Sequence, residues 1–188
     1  MWVLIDNYDS FTHILYHYLL LTGNSCQVFR NDEISIEQLE KTNPERIVIS
    51  PGPETPLQAG ITMNVIDYFH NKVPILGICL GHQAIGMYFG ARLYQINYPM
   101  HGKISEIHYV PHPVFNDIPQ PFNAMRYHSL AVNEFKNTQL DILAQTTDGT
   151  IMAMAHKVFP CMGFQFHPES IGTDYGMKLL HNWAQMKL

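Results

Sequence analysis

The sequence predicts an α/β fold: one domain on an open, mostly parallel twisted sheet with helices on both faces, plus additional antiparallel strands in its second half. Three observations carry that reading. Up to Gly90, apolar runs too short for helices alternate with segments of helical spacing. From Ala91 to Phe166, short strand-like runs are separated by Pro, Asn and Asp-Gly turns. The 188 residues, 46% hydrophobic and only 14% charged, suit a single packed core over residues 1–188 without long solvated tails.

Each element has its own signal. Val3-Leu4-Ile5 suits a short buried strand. Ser10 is placed to cap the following helix, with Phe11, Ile14, Leu15, Tyr18 and Leu19 on one face and Gly23 as its stop. Cys26-Gln27-Val28-Phe29 reads as the second strand. Arg46-Ile47-Val48-Ile49-Ser50 reads as the third, ended by Pro51-Gly52-Pro53. Thr55-Pro56-Leu57-Gln58 has capping-box spacing with proline at the first helical position. Ile61, Val65, Ile66 and Phe69 continue that helix, with Gly60 as its weak point. Pro74-Ile75-Leu76-Gly77-Ile78 is a further buried strand that leads straight into a helix from Leu80 to Phe89. Asp148-Gly149 joins Leu140–Ala144 to Ile151–Ala155 as a hairpin. A last helix starts near Asp174 and buries Leu179, Leu180, Trp183 and Ala184.

Composition removes several function classes. Lys and Arg total 11 against 16 Asp and Glu, a formal charge of −5 with no basic block, so no nucleic-acid or anionic-membrane partner is expected. No apolar run approaches the roughly 20 residues that span a bilayer. The start Met1-Trp2-Val3-Leu4-Ile5-Asp6 lacks the features of a signal peptide. Cys26, Cys79 and Cys161 are odd in number and widely spaced, which reads as a reducing cytoplasm. The 11 histidines leave a metal or histidine-assisted catalysis open. Pro111 argues against His108 and His112 as a helical ligand pair. His13, His17, His70 and His181 read as surface or edge residues of helices. His156 and Cys161 have no second close pair to complete a tetrahedral set. No metal and no cofactor is expected.

The strongest local signal is Gly77-Ile78-Cys79-Leu80-Gly81, between a buried strand and a helix. It has the form of a nucleophile elbow, with cysteine in place of serine. The tight turn strains the nucleophile and leaves no room for side chains on either flank. A helix N-terminus favours thiolate, and the N–H of Leu80 points where an oxyanion would form. On its own the pattern is weak and also fits a core cysteine beside a tight turn. A base is available in Gln165-Phe166-His167-Pro168-Glu169-Ser170. His167 ends an apolar strand-like run, and Glu169 is close enough to orient its imidazole. Ser50-Pro51-Gly52-Pro53 reaches the same sheet edge, where open α/β sheets bind ligands. Two prolines fix the chain so that the Gly52 N–H is available as a second oxyanion donor.

These segments, with the run on to His82-Gln83, resemble the signatures of the class I (triad) glutamine amidotransferases, a flavodoxin-like fold. Leu4-Ile5-Asp6-Asn7-Tyr8-Asp9-Ser10-Phe11-Thr12, Met100-His101-Gly102-Lys103 and Arg126-Tyr127-His128-Ser129-Leu130 narrow the resemblance. They are similar to the glutaminase subunits of anthranilate synthase (component II) and aminodeoxychorismate synthase. The likeness spans essentially the whole chain.

The resemblance implies a set of roles. Cys79 attacks the carboxamide of L-glutamine, His167 moves the proton and Glu169 holds His167. The N–H groups of Gly52 and Leu80 form the oxyanion hole. Gln83, Ser129 and Leu130 match positions that hold the substrate, faced by Gly52, Pro53 and Glu54. Ammonia passes to a chorismate-binding synthase subunit, so a hetero-oligomer is expected. Tyr8, His101 and Lys103 are the candidates for coupling to that partner, or else turns that stabilise the sheet edge. Glu54 departs from the family, which commonly has glycine or cysteine there. A carboxylate about 6 Å from an oxyanion would cost roughly 0.7–3 kcal/mol, unless it points into solvent. The competing readings are a glutaminase shared by both pathways, a related cysteine hydrolase and a non-catalytic binding module. Gln83 and Ser129-Leu130 count against the hydrolase, and an intact Cys79, His167 and Glu169 against the module.

Overall fold

The apolar runs become the parallel half of a nine-stranded sheet in the computed structural model, which describes residues 1–187. In chain order the elements are β1 (Trp2–Asp6), α1 (Thr12–Leu21), β2 (Cys26–Arg30), α2 (Ile36–Lys41), β3 (Arg46–Ile49), α3 (Thr62–Phe69), β4 (Ile75–Ile78), α4 (Leu80–Tyr88), β5 (Arg92–Gln95), β6 (Lys103–Tyr109), β7 (Phe122–Arg126), β8 (Leu130–Asn133), β9 (Leu140–Gln145), β10 (Ile151–His156), β11 (Cys161–Phe164) and α5 (Gly176–Gln185). The large sheet runs β2-β1-β3-β4-β11-β10-β9-β6-β7. Its first five strands are mutually parallel, and the rest pair antiparallel. β5 and β8 form a separate antiparallel pair.

Side-chain alternation divides the core between the two faces of the sheet. Trp2 and Leu4 of β1, Val48 of β3 and Met162 and Phe164 of β11 pack with Leu15 and Leu19 of α1 and Leu179, Leu180 and Trp183 of α5. Val3 and Ile5, Ile47 and Ile49, and Cys161 face the other way, against Leu39 of α2, Val65, Ile66 and Phe69 of α3 and Ala84 and Ile85 of α4. Each fully buried aliphatic side chain contributes about 1.5–3 kcal/mol over leaving it exposed. The β9–β10 hairpin forms as its Asp148-Gly149 turn predicts, with the Asp148 carboxylate accepting from the Thr150 N–H.

Two local expectations are corrected and one helix is added. Ser10 does not cap α1. Asp9 does that work, its carboxylate accepting from the Phe11 N–H at 2.8 Å and its carbonyl from the Thr12 N–H at 3.2 Å. The segment after Thr55 is not one helix. Pro56–Gln58 makes a single 3-10 turn, the Thr55 hydroxyl meets the Gln58 side chain rather than a backbone N–H, and α3 starts only at Thr62. The break is at Gly60, whose φ of +50° is left-handed and whose Cβ would lie 2.3 Å from the Asn31 carbonyl oxygen. The added helix, α2, has no counterpart in the predicted elements. Its signal is a capping box in which Ser35 accepts from the Gln38 N–H and Gln38 from the Ser35 N–H.

Candidate active site

β1, β3, β4 and β11 are neighbours in the parallel sheet, so the loops at their carboxyl ends share one edge. Ser50–Gly52 follows β3, Cys79 follows β4, and Gln165–His167 follows β11.

Cys79 stands at the elbow with φ +50° and ψ −99°, outside the conformations L-residues prefer. Holding a non-glycine residue there costs on the order of 1–3 kcal/mol. The flanking glycines make the turn possible. A Cβ on Gly77 would lie 2.2 Å from the Gly81 carbonyl carbon, and one on Gly81 would lie 2.5 Å from the Ile49 oxygen. The Cys79 N–H donates to the Phe164 carbonyl at 2.8 Å, tying the elbow to β11.

His167 is buried one turn beyond β11, and its Nδ1–H donates to Glu169 Oε1 at 2.6 Å. That bond leaves Nε2 as the free face of the imidazole. The ring is held edge-on by Tyr127 and Phe11, and its backbone by Met125 and the Thr173 hydroxyl. Burial pushes the imidazole down, but the hydrogen bonds and charges of Cys79 and Glu169 outweigh it and hold His167 well above its ordinary value. That favours the imidazolium form of His167.

Gly52 packs against Asn7 on one side and Leu80 on the other, where a Cβ would meet Asn7 Cβ at 2.6 Å and Leu80 Cδ1 at 3.3 Å. Gly52 and Leu80, the residues expected to supply the oxyanion donors, are therefore neighbours. Asn7, which belongs to the Leu4–Thr12 motif, clamps this loop. Its N–H and side-chain NH2 reach the Ser50 hydroxyl and carbonyl, while Asn31 and Thr62 donate to its side-chain oxygen.

A cavity of about 170 Å³ opens beside the sulfur. Gly52, Pro53, Glu54, Gln83, Ser129 and Leu130 all line it with Cys79, and Tyr127 and His128 complete its wall. Glu54 is exposed at its mouth with a left-handed φ of +62°. Tyr8 is also exposed, its hydroxyl donating to Asp32, and lines a second cavity with Pro53 and Glu54. His101 and Lys103 are exposed on the turn beside Tyr127. Among the described residues, no group of three or more His, Cys, Asp or Glu side chains comes together as a metal site. No helix there is long and apolar enough to cross a membrane.

The model of the class I glutamine amidotransferase family matches residues 3–186. This chain belongs to the class I glutamine amidotransferases. It is 46% identical over 185 residues to anthranilate synthase component 2 of Azospirillum brasilense, covering 97% of this chain and 94% of that one. Aminodeoxychorismate/anthranilate synthase component 2 of Bacillus subtilis is 44% identical, covering 98% and 96%. The bifunctional protein TrpGD of Thermotoga maritima is 45% identical, but the chain spans only 32% of its length. A solved structure from Thermoplasma acidophilum, described as a subunit of GMP synthase, superposes with a TM-score of 0.84 at 25% identity, covering 97% of this chain and 92% of that one.

This amidotransferase carries two more buried histidines beside its site. Burial pushes His82, on the first turn of α4, from 6.5 to about 4. Burial and then the Arg126 guanidinium push His128 from 6.5 to about 3. Both bind a proton more readily when unfolded, so they oppose folding as pH falls from about 6.5 toward about 4. Each is expected to remove about 2 kcal/mol of stability between pH 7 and pH 5. Urea unfolding at the two pH values checks this, and His82→Leu is expected to make the loss shallower.

Glu54→Gly in this amidotransferase relieves a left-handed residue and is expected to add about 1 kcal/mol, or a Tm rise of about 2–4 °C. A thermal melt measures it.

Proposed function

We propose that this chain is the glutaminase subunit of a chorismate-aminating synthase, working through a glutamyl thioester on Cys79. The observation that carries the reading is a strained cysteine that lines a small cavity with Gly52 and meets an imidazole backed by a buried carboxylate.

The chemistry follows from those groups. The Cys79 thiolate attacks the side-chain carboxamide carbon of L-glutamine, and its carbonyl π electrons move onto oxygen. The N–H groups of Gly52 and Leu80 stabilise that oxyanion, an effect of about 10²–10³ in kcat per donor. The tetrahedral centre collapses, the C–N bond breaks, and the His167 imidazolium protonates the departing nitrogen as ammonia. Water then attacks the thioester while His167 takes its proton. The C–S bond breaks, the thiolate returns, and glutamate leaves. Glu169 keeps the His167 proton on Nδ1 throughout.

Ammonia delivery to a chorismate-binding partner is supported by the names of the near-full-length relatives. It is also supported by the apolar rim around the His167 loop. Tyr127 borders Gly102, Ile104 is close to Gly172, and Ile171 is fully exposed beside it. His101 and Lys103 are exposed beside that rim and Tyr8 is exposed beside Pro53 and Glu54, which fits a coupling role for all three. One chain serving both pathways is a second reading, favoured by the joint name of the Bacillus subtilis relative. Three unpaired cysteines suit a cytoplasmic location.

Mixing this chain with a chorismate-binding synthase subunit tests the reading. Glutamine plus chorismate is expected to give an aromatic amine product only when both chains are present. Glutamate formation that never yields such a product would defeat it.

A further inference from the structure

Outside the triad, one buried side chain reaches the reacting sulfur. Gln165 is fully buried, and its Nε2 lies 3.6 Å from Cys79 Sγ. Its Oε1 accepts from Gln83 Nε2 at 3.2 Å, and that same nitrogen donates to the Leu130 carbonyl at 2.9 Å. The two ends of an amide are told apart by their partners, and here the partners leave one choice. A backbone carbonyl only accepts, so Gln83 turns its NH2 to Leu130. Both of its hydrogens are then used, and the atom of Gln165 that meets them is oxygen. Gln165 therefore turns its NH2 to the sulfur.

The same polarity extends to the far wall of the cavity. Arg126 is buried, and its Nε donates to His128 Nε2 at 3.0 Å. A guanidinium has no acceptor, so the His128 proton sits on Nδ1, which donates to the Leu130 carbonyl at 2.8 Å. The Leu130 carbonyl thus accepts from His128 on one side and from Gln83 on the other, and the donor roles are fixed from Arg126 to the nucleophile.

We propose that Gln165 is a further catalytic residue of the glutaminase reaction, donating an N–H to the Cys79 sulfur, and that Gln83 acts through it as a positioning residue. The proposal rests on the reading of Cys79 as the nucleophile. An N–H donor bonds more strongly to an anionic sulfur than to a thiol or a thioester. Gln165 thus favours the sulfur both as attacking thiolate and as leaving group when water cleaves the acyl-enzyme. The ionisable groups around the sulfur are His167, backed by Glu169 and Asp9, with His82 on α4 and His128 and Glu54 across the cavity. Gln165 is uncharged and adds no titration of its own.

The test is the rate of Cys79 alkylation by iodoacetamide in the full chain, from about pH 5 to about pH 10. Gln165→Glu keeps the volume and an acceptor for Gln83 but turns an oxygen to the sulfur. Its half-maximal pH is expected to rise by more than about one unit. Gln165→Met removes the donor without adding charge, and a rise of about half a unit is expected. In both, kcat falls more than KM changes, and either folded variant alone decides. A merely structural role lowers activity without moving the midpoint, so wild-type midpoints in the folded variants would overturn the proposal. Failure of an electrophilic glutamine analogue to label Cys79 in the unmodified chain is a different result. It removes the nucleophile assignment itself.

Discussion

Cys79→Ala is expected to lower kcat for glutamine hydrolysis by about 10⁴–10⁶-fold while leaving the fold intact. Among the described residues the sulfur is the one thiol lining the cavity, and it is the group that His167 meets at the elbow. Without it, neither the flanking N–H groups nor the base has an oxyanion or a leaving group to act on. The change is small in volume and keeps the elbow's φ, which alanine tolerates no worse than cysteine. Circular dichroism is therefore expected to show an unchanged spectrum. Supplying ammonium salt in place of glutamine bypasses the lost step, so a synthase partner is expected to keep aminating chorismate with this variant. More than a tenth of the glutaminase rate surviving in Cys79→Ala would place the chemistry on another group.

Gly77→Ala is expected to cost more stability than any other single methyl added in this chain's elbow, about 3–5 kcal/mol. Its Cβ would sit 2.2 Å from the Gly81 carbonyl carbon, 2.3 Å from the Gly81 oxygen and 2.6 Å from the His82 N. All three are backbone atoms on the first turn of α4, so no side-chain rotation relieves the clash. α4 would have to lift from β4, and with it the Leu80 N–H and Gln83. Gly86→Ala is the contrast. Its Cβ would meet only side-chain tips at 3.1–3.3 Å, and alanine regains up to about 1 kcal/mol of helix propensity. Denaturant midpoints of the two variants are expected to differ by several kcal/mol, with activity lost only in Gly77→Ala.

Much of this was legible in the sequence because its signals are local. Continuous apolar runs at β1, β3 and β4 mark strands covered on both faces, and their ends carry the elbow and the Gly52 loop. The family motifs then named the triad and the cavity-lining residues, which the fold brings to one edge. The order of the strands was not legible. β11 comes last in the sheet's chain order yet lies between β4 and β10, and nothing local in Cys161–Phe164 names those neighbours. That pairing delivers His167 to Cys79. The helix break at Gly60 was hidden for a related reason, since the Asn31 carbonyl that forbids a side chain there belongs to a distant loop.

Two residues of the site carried signals that went unread. Gln165 interrupts the apolar run Met162-Gly163-Phe164-Gln165-Phe166. Strand alternation puts it on the same side as Gly163, which packs on His82 of α4. A buried amide at that position needs partners, and Cys79 and Gln83 are what lie there. Asn7 similarly follows an apolar strand, and its buried amide ties the Gly52 loop to Asn31 and Thr62. In both cases the polar residue inside or just after a buried strand was the clue.

The most direct measurement is acid quenching of the chain during glutamine turnover, followed by peptide mass spectrometry. The mechanism predicts one glutamyl group in thioester linkage on the peptide that holds Cys79, released by hydroxylamine and absent from Cys79→Ala. Turnover with no covalent glutamyl adduct, or with the adduct on Cys26 or Cys161, would contradict it.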